Sequence, residues 1–150
     1  MNLIKNIDAK TVILESTAGT SDLSSIAVVD MQGYEGCLFV GLLDTVTAAG
    51  TVRMYPRHSD STSTTDLVSC TGAAYIAGTT ASTTSHDGQT ILLDVYKPQK
   101  RYLGVYVDRA DQASQINVVA IPYGNRKGPI TQSTGVYGVL DPTLAVSPTT

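Results

Sequence analysis

The chain is built from short runs of Val, Ile, Leu, Tyr and Thr set between clusters of Gly, Asp, Ser and Pro, and apolar residues almost nowhere recur at helical spacing. That punctuation predicts strands. Strands are expected over 11–15, 25–30, 36–43, 51–55, 66–70, 90–96, 102–108 and 116–122, with a weaker one over 73–77. In 102–109, Leu103, Val105 and Val107 form an apolar row, while Tyr102, Gly104, Tyr106 and Asp108 face the other way. In 51–55 the row is Val52 and Met54, opposite Arg53 and Tyr55. The run CLFVGLL differs, with Leu38, Val40 and Leu42 on one face and Phe39, Gly41 and Leu43 on the other. A strand apolar on both faces is expected at the centre of a sheet and covered on both sides, by a second sheet or by a neighbouring subunit.

Two stretches, RHSDSTSTT (57–65) and GTTASTTSHDG (78–88), are small and polar and predict exposed loops. Residues 128–150 contain Pro129, Gly135, Gly138, Pro142 and Pro148, which break regular structure. Yet Val136, Tyr137, Val139, Leu140, Leu144 and Val146 make the same segment too apolar for a free linker. Such a segment needs a surface to lie on. The pattern as a whole predicts an all-β fold, a β-sandwich or jelly-roll-like barrel of about eight strands over 1–127, followed by an extended C-terminal arm over 128–150.

Composition narrows the partners. A chain of 150 residues suits one domain, burying about two-thirds of its unfolded surface. Charged residues are 15% of it, against about 25% in soluble proteins, so much of the surface is Thr, Ser, Gly and Asn or is covered by partners. Trp is absent and Phe occurs once, which leaves eight Tyr as the main large aromatics. A net charge of −3 and a pI of about 5.1 argue against nucleic acid as the main partner. Lys5, Asp8, Lys10 and Glu15 interrupt the first residues, so no signal-type apolar run is present. No stretch approaches the roughly 20 apolar residues of a membrane helix. Synthesis in the cytoplasm and no membrane partner are therefore expected. Cys37 and Cys70 lie in apolar runs and read as small buried hydrophobes. They lack the C-x-x-C spacing of a zinc site, and without an export signal a disulfide is disfavoured.

Candidate chemistry is thin. His58, before Ser59 and Asp60, and His86, before Asp87, fall in the two polar stretches. A triad needs a buried base held by a carboxylate beside an activated nucleophile, and no G-x-S-x-G elbow is present. Solvated loop histidines and no enzymatic activity are expected. Asp60, Asp66, Asp87 and the two histidines could converge on a hard cation, but neither D-x-D-x-D-G nor H-E-x-x-H occurs, and loop Asp commonly shapes turns. No metal and no cofactor are expected. GYEG (33–36) and GVYG (135–138) lack phosphate-cradling spacing and a following helix, and read as turn glycines.

The stretch 91–132 gathers most of the patterned charge: Lys97, Lys100, Arg101, Arg109, Arg126 and Lys127. KPQKRY and GNRKGP are basic turns between apolar strands. They are either solvated turns or docking points for acidic protein surface. Arg101 and Arg126 can grip carboxylates bidentately, with Lys97, Lys100 and Lys127 beside them. Tyr102 and Tyr123 supply aromatic anchors of the kind enriched at interfaces. From the C-terminal segment, Tyr137 and Leu140 complete the candidate interface residues.

Taken together, VVDMQGYEGCLFVGLL, TILLDVYKPQKRYLGVYVDRA and NVVAIPYGNRKGPIT resemble the capsid decoration, or cement, proteins of tailed bacteriophages. The similar pattern is a strand ending in Asp-Met, then Gly-Tyr-Glu-Gly and an apolar strand, a later Asp-Val-Tyr-x-Pro-x-Lys-Arg-Tyr turn, and a closing Tyr-Gly-x-Arg-Lys-x-Pro. It covers 28–43 and 91–131 and no catalytic motif. The resemblance implies a β-sandwich or jelly-roll-like subunit, commonly a homotrimer, added to the capsid exterior at local three-fold positions. The major capsid protein would be its partner and the virion its location, with no enzymatic role. No binding residue is carried over. The alternatives are a head–tail connector or tail protein of similar fold, and a carbohydrate-binding β-sandwich using exposed Tyr and loop Asp residues.

Overall fold

Period-two alternation sorts the chain into two antiparallel sheets that bury one face each. A computed structural model describes residues 7–70 and 86–125 in full and 77–80 as strand backbone. The strands are β1 (Lys10–Ile13), β2 (Leu23–Ser24), β3 (Val29–Asp30), β4 (Gly36–Val46), β5 (Thr51–Ser59), β6 (Val68–Ser69), β7 (Ala77–Thr80), β8 (Thr90–Tyr96), β9 (Tyr102–Ala110) and β10 (Ser114–Tyr123). The first sheet runs β1-β10-β4-β8 and the second β2-β9-β5-β6, with β3 also on β9 and β7 also on β5. Thus β2 and β3 form one interrupted edge strand, and β6 and β7 another. Counting each as one and numbering in chain order gives 1-8-3-6 and 2-7-4-5, the strand order of a jelly roll. The all-β sandwich expected from the alternation is the observed fold.

The interior is made by the apolar rows. Phe39, Met54, Leu93, Leu103, Ile116, Val52, Val105, Val107 and Val118 are all essentially inaccessible. Gly41 sits among them because a side chain there would press on Met54 of the facing sheet and Ile116 of the adjacent strand β10. One open side of the sandwich is closed by hydrogen bonds, Ile26 N–H to the Val12 carbonyl at 2.8 Å and Lys10 Nζ to the Val28 carbonyl at 2.9 Å. These occupy edge groups that would otherwise template aggregation.

Several boundaries differ from the expected ones, each for a local reason. The strand expected over 25–30 is split, because the Ser25 hydroxyl accepts from Val105 N–H at 2.7 Å and donates to its carbonyl at 2.9 Å, displacing the regular ladder. Within 66–70, Asp66 ends a 3₁₀ turn, Thr64–Asp66, capped by Ser63, before β6 begins. The weak strand expected over 73–77 falls mostly outside the described residues. Ala77–Thr80 is strand, so the stretch 78–88 does not begin as a loop.

The largest correction concerns β5, which continues through Arg57, His58 and Ser59. Its inward row is Val52, Met54, Pro56 and His58, and His58 is only 4% exposed. It is a strand histidine facing the interior, not a solvated loop residue. Pro56 hides this continuation in the sequence. Its carbonyl accepts from Cys70 N–H on the side of the edge strand. In a strand a residue's N–H and C=O point to the same side, so the donor that proline lacks also faces that edge. Pairing there is interrupted between β6 and β7, while the β9 side remains continuous across Pro56.

The inward row of β9 ends in a charge. Arg109, next after Val107 in that row, is 5% exposed. Its Nε donates to the Ser21 carbonyl at 2.6 Å, its Nη1 to the Ser114 carbonyl at 2.8 Å, and its Nη2 lies 3.8 Å from Glu15. Its backbone N–H donates to Asp22 at 3.2 Å. One guanidinium thus ties the crossover between the two sheets to the start of β10, using the fixed fork that lysine lacks. Arg109→Leu is expected to lower stability by about 3 kcal/mol, since the buried Ser114 carbonyl, the part-buried Ser21 carbonyl and Glu15 all lose the guanidinium. Urea unfolding measures it, and a loss under about 1 kcal/mol would show that water replaces the fork.

Candidate interaction surfaces

The basic turn between β8 and β9 lies at one end of the sandwich together with Tyr123. Lys97 N–H donates to the Glu35 carbonyl at 2.8 Å, and Glu35 N–H donates to the Tyr123 carbonyl at 3.0 Å. Lys97 adopts a left-handed backbone (φ 49°), and its ammonium lies 5.1 Å from the Tyr96 ring centroid. Between this turn and the segment from Met31 to Glu35 runs an open groove of about 450 Å³. Lys97, Lys100, Arg101, Tyr102 and Tyr123 are therefore neighbours, as a common docking point requires.

Their charges, however, are already engaged. Arg101 grips Asp30 with both arms of its fork, at 2.9 and 2.7 Å, and its guanidinium stands over Tyr102. Lys100 pairs with Asp60 at 2.9 Å. Arg101 was expected to offer its fork to a partner's carboxylate; the fork is occupied within the chain, where it fastens β3 to the β8–β9 turn. The Tyr123 hydroxyl donates to Asp94 at 2.8 Å. Arg126, Lys127, Tyr137 and Leu140 lie outside the described residues.

Two sheet faces are better formed than this end. On the outer face of the second sheet, β5 presents Arg53, Tyr55 and Arg57, and β9 presents Tyr106 and Asp108 in register with them. Arg53 pairs with Asp108 at 3.5 Å, the Tyr55 and Tyr106 rings lie 6.4 Å apart, and the Arg57 guanidinium covers Tyr106 at 4.2 Å. The Arg57 Nε–H is buried without a hydrogen-bond partner. The Tyr106 hydroxyl donates to Asp22. At one end of this ladder Gly104 makes room for Leu67, whose Cδ1 would lie 2.5 Å from an added Cβ. Arg53, Tyr55 and Arg57 alternate in the sequence, and that alternation was the available signal for the ladder. A strand ending at Tyr55, as the sequence predicts, leaves Arg57 out of it; β5 runs on to Ser59.

The outer face of the first sheet is apolar. Val40 stands between Val119 and Leu92, Leu38 between Ile121 and Asp94, and Leu42 between Asn117 and Thr90. Gly36, between Tyr123 and Tyr96, closes the end of the patch, and the Tyr123 ring packs on it. Leu42 and Leu92 are 48% and 59% exposed. The two-sided apolar character of β4 is thus real, but only one of its faces is covered by a sheet among the described residues.

Other candidate chemistry stays dispersed. No group of three or more His, Cys, Asp or Glu is placed to hold a metal among the described residues. Burial pushes the Cys37 thiol up to about 12 and raises Cys70 as well, which disfavours the reactive thiolate. His86 pairs with Gln89 in an exposed turn.

No family model and no curated protein matches this chain.

Two pH dependences follow from the polar contacts. The Arg101 fork holds the Asp30 carboxyl below its usual range, and the hydroxyl of Tyr106, with Arg109 N–H, does the same for Asp22. Depressed carboxylates contribute stability above their unfolded value, and that contribution is lost as pH falls through the folded value. The urea midpoint should therefore fall on acidification below about pH 4, and less steeply in the Asp22→Asn, Asp30→Asn double variant. Equal slopes would contradict the assignment. Burial, with the bond to Asp94, pushes the Tyr123 phenol up to about 12. A raised phenol contributes its full stability below about pH 10 and loses it as pH climbs through the folded value. Ultraviolet titration should show a late-ionising tyrosine that Tyr123→Phe removes; an unchanged titration curve would contradict this.

Proposed function

We propose that this chain is a capsid decoration protein of a tailed bacteriophage, binding the outside of the major capsid shell as a homotrimer. The observation that carries this reading is the ladder of Arg53, Tyr55, Arg57 and Tyr106 on an outer sheet face. Arg and Tyr are enriched among the residues that dominate interface energetics, and both bring large contact area with a polar tip. A ladder already stiffened by stacking loses little freedom on docking. The jelly-roll strand order supports the reading as an analogy only, since that fold also serves lectins. The segments that resemble decoration proteins form β3, β4, β8, β9 and β10, so the resemblance lies mainly in the scaffold and includes Tyr106 of the ladder but not Arg53, Tyr55 or Arg57. Closed symmetric assembly suits such a face, and repeated contacts of one trimer with the shell add avidity. A sugar-stacking role finds less support, because Arg57 already covers the Tyr106 ring.

The test is binding to expanded heads of the phage that encodes the chain. The purified protein should sediment as a trimer and bind those heads. Tyr55→Ala combined with Arg57→Ala should stay folded and bind at least about thirtyfold more weakly, as loss of a central anchor does. A stable monomer that ignores heads would overturn the proposal. Rings of six or twelve subunits would replace it with a connector role.

A further inference from the structure

We infer that the apolar outer face of the β1-β10-β4-β8 sheet is the seat of the chain's own C-terminal segment, residues 128–150. The inference does not rest on the proposed capsid role. The largest contiguous apolar patch on a monomer surface is commonly about 300–600 Å² and often functional. Leu38, Val40, Leu42, Leu92, Val119 and Ile121 form one such patch across three paired strands. With strands about 4.8 Å apart and a rise of about 3.4 Å per residue, it measures roughly 14 by 20 Å, or about 300 Å².

That size favours one occupant. A stable contact between two protein copies takes roughly 800 Å² from each, and this patch offers less than half. An extended segment fits it. The described chain leaves the sheet at the correct place, since β10 contributes Val119 and Ile121 to the patch and ends at Tyr123 on its rim. Gly124 follows in a left-handed conformation (φ 69°), a backbone that turns the chain out of the strand direction. Gly128 and Pro129 supply a second turn signal.

Reach and composition agree. The ten residues from Lys127 to Val136 can span up to about 33 Å when extended, longer than the patch. Val136, Tyr137, Val139, Leu140, Leu144 and Val146 supply apolar side chains, and Asp141 is the sole charged side chain of 128–150. A segment tethered this closely sees its seat at an effective concentration in the millimolar range. At ordinary protein concentrations it outcompetes the same segment of another copy.

Hydroxyl-radical footprinting of the full chain tests this with an internal reference, because Val68 is 52% exposed and lies on β6 of the other sheet. Relative to intrinsic side-chain reactivity, Leu140 and Leu92 should both be oxidised severalfold more slowly than Val68, at high and low protein concentration alike. Val40→Lys combined with Leu92→Lys should bring Leu140 up to the relative rate of Val68 while Phe39, fully buried, stays protected. If Phe39 becomes reactive, the milder Leu92→Ser replaces the double variant. Leu140 oxidised as fast as Val68 on that scale in the unaltered chain overturns the inference. Shielding that vanishes on dilution overturns the own-chain assignment and gives the seat to a second copy. Failure to bind heads, with Leu140 still shielded, would sink only the capsid proposal.

Discussion

A two-sheet sandwich has one interior, and β4 brings apolar side chains to both of its faces. The inward set, Cys37, Phe39 and Leu43 with Gly41 between them, meets the rows of β5 and β9 and forms the core. The outward set, Leu38, Val40 and Leu42, is matched in register by Leu92, Val119 and Ile121, so the neighbours of β4 repeat its choice instead of offsetting it. Solubility alone would place Thr, Lys or Glu on such a face, as half-solvated antiparallel sheets do. The face is therefore built to be covered, and this constraint governs what the rest of the chain can be.

The arginines divide the remaining work. Arg109 is buried and spends its whole fork on backbone carbonyls and Glu15, which makes it part of the scaffold. Arg101 is exposed yet closed onto Asp30, where a surface ion pair orients a turn more than it stabilises one. Arg57 covers Tyr106, and its Nε–H is buried without a hydrogen-bond partner. Charge count along the chain ranks these residues alike. Their surroundings separate them.

Much of this fold was legible in the sequence because period-two alternation survives wherever one face of a strand is buried. The rows Leu103-Val105-Val107 and Val52-Met54 and the two-sided run of β4 stand as read. Arg109 occupies the next inward position after Val107, and a charge there reads as the end of the row. His58 was lost behind Pro56, which ends strands in general but here faces an interrupted edge. The interaction surfaces were harder to see. Each depends on lateral register, Val40 beside Leu92 and Val119, or Tyr55 beside Tyr106, and register joins residues separated by about fifty or more positions in the chain. The basic turn reads as free in the sequence because its partners Asp30 and Asp60 lie 71 and 40 positions from Arg101 and Lys100.

The central claim is that a jelly roll with a Tyr–Arg ladder on one outer face serves as a binding module on a phage shell. Cryo-electron microscopy of expanded heads incubated with the purified chain addresses it most directly. The account expects added density at local three-fold positions on the outside of the shell, with the β5–β9 face turned toward the capsid. Bare shells, or density confined to a ring at the neck, would contradict it.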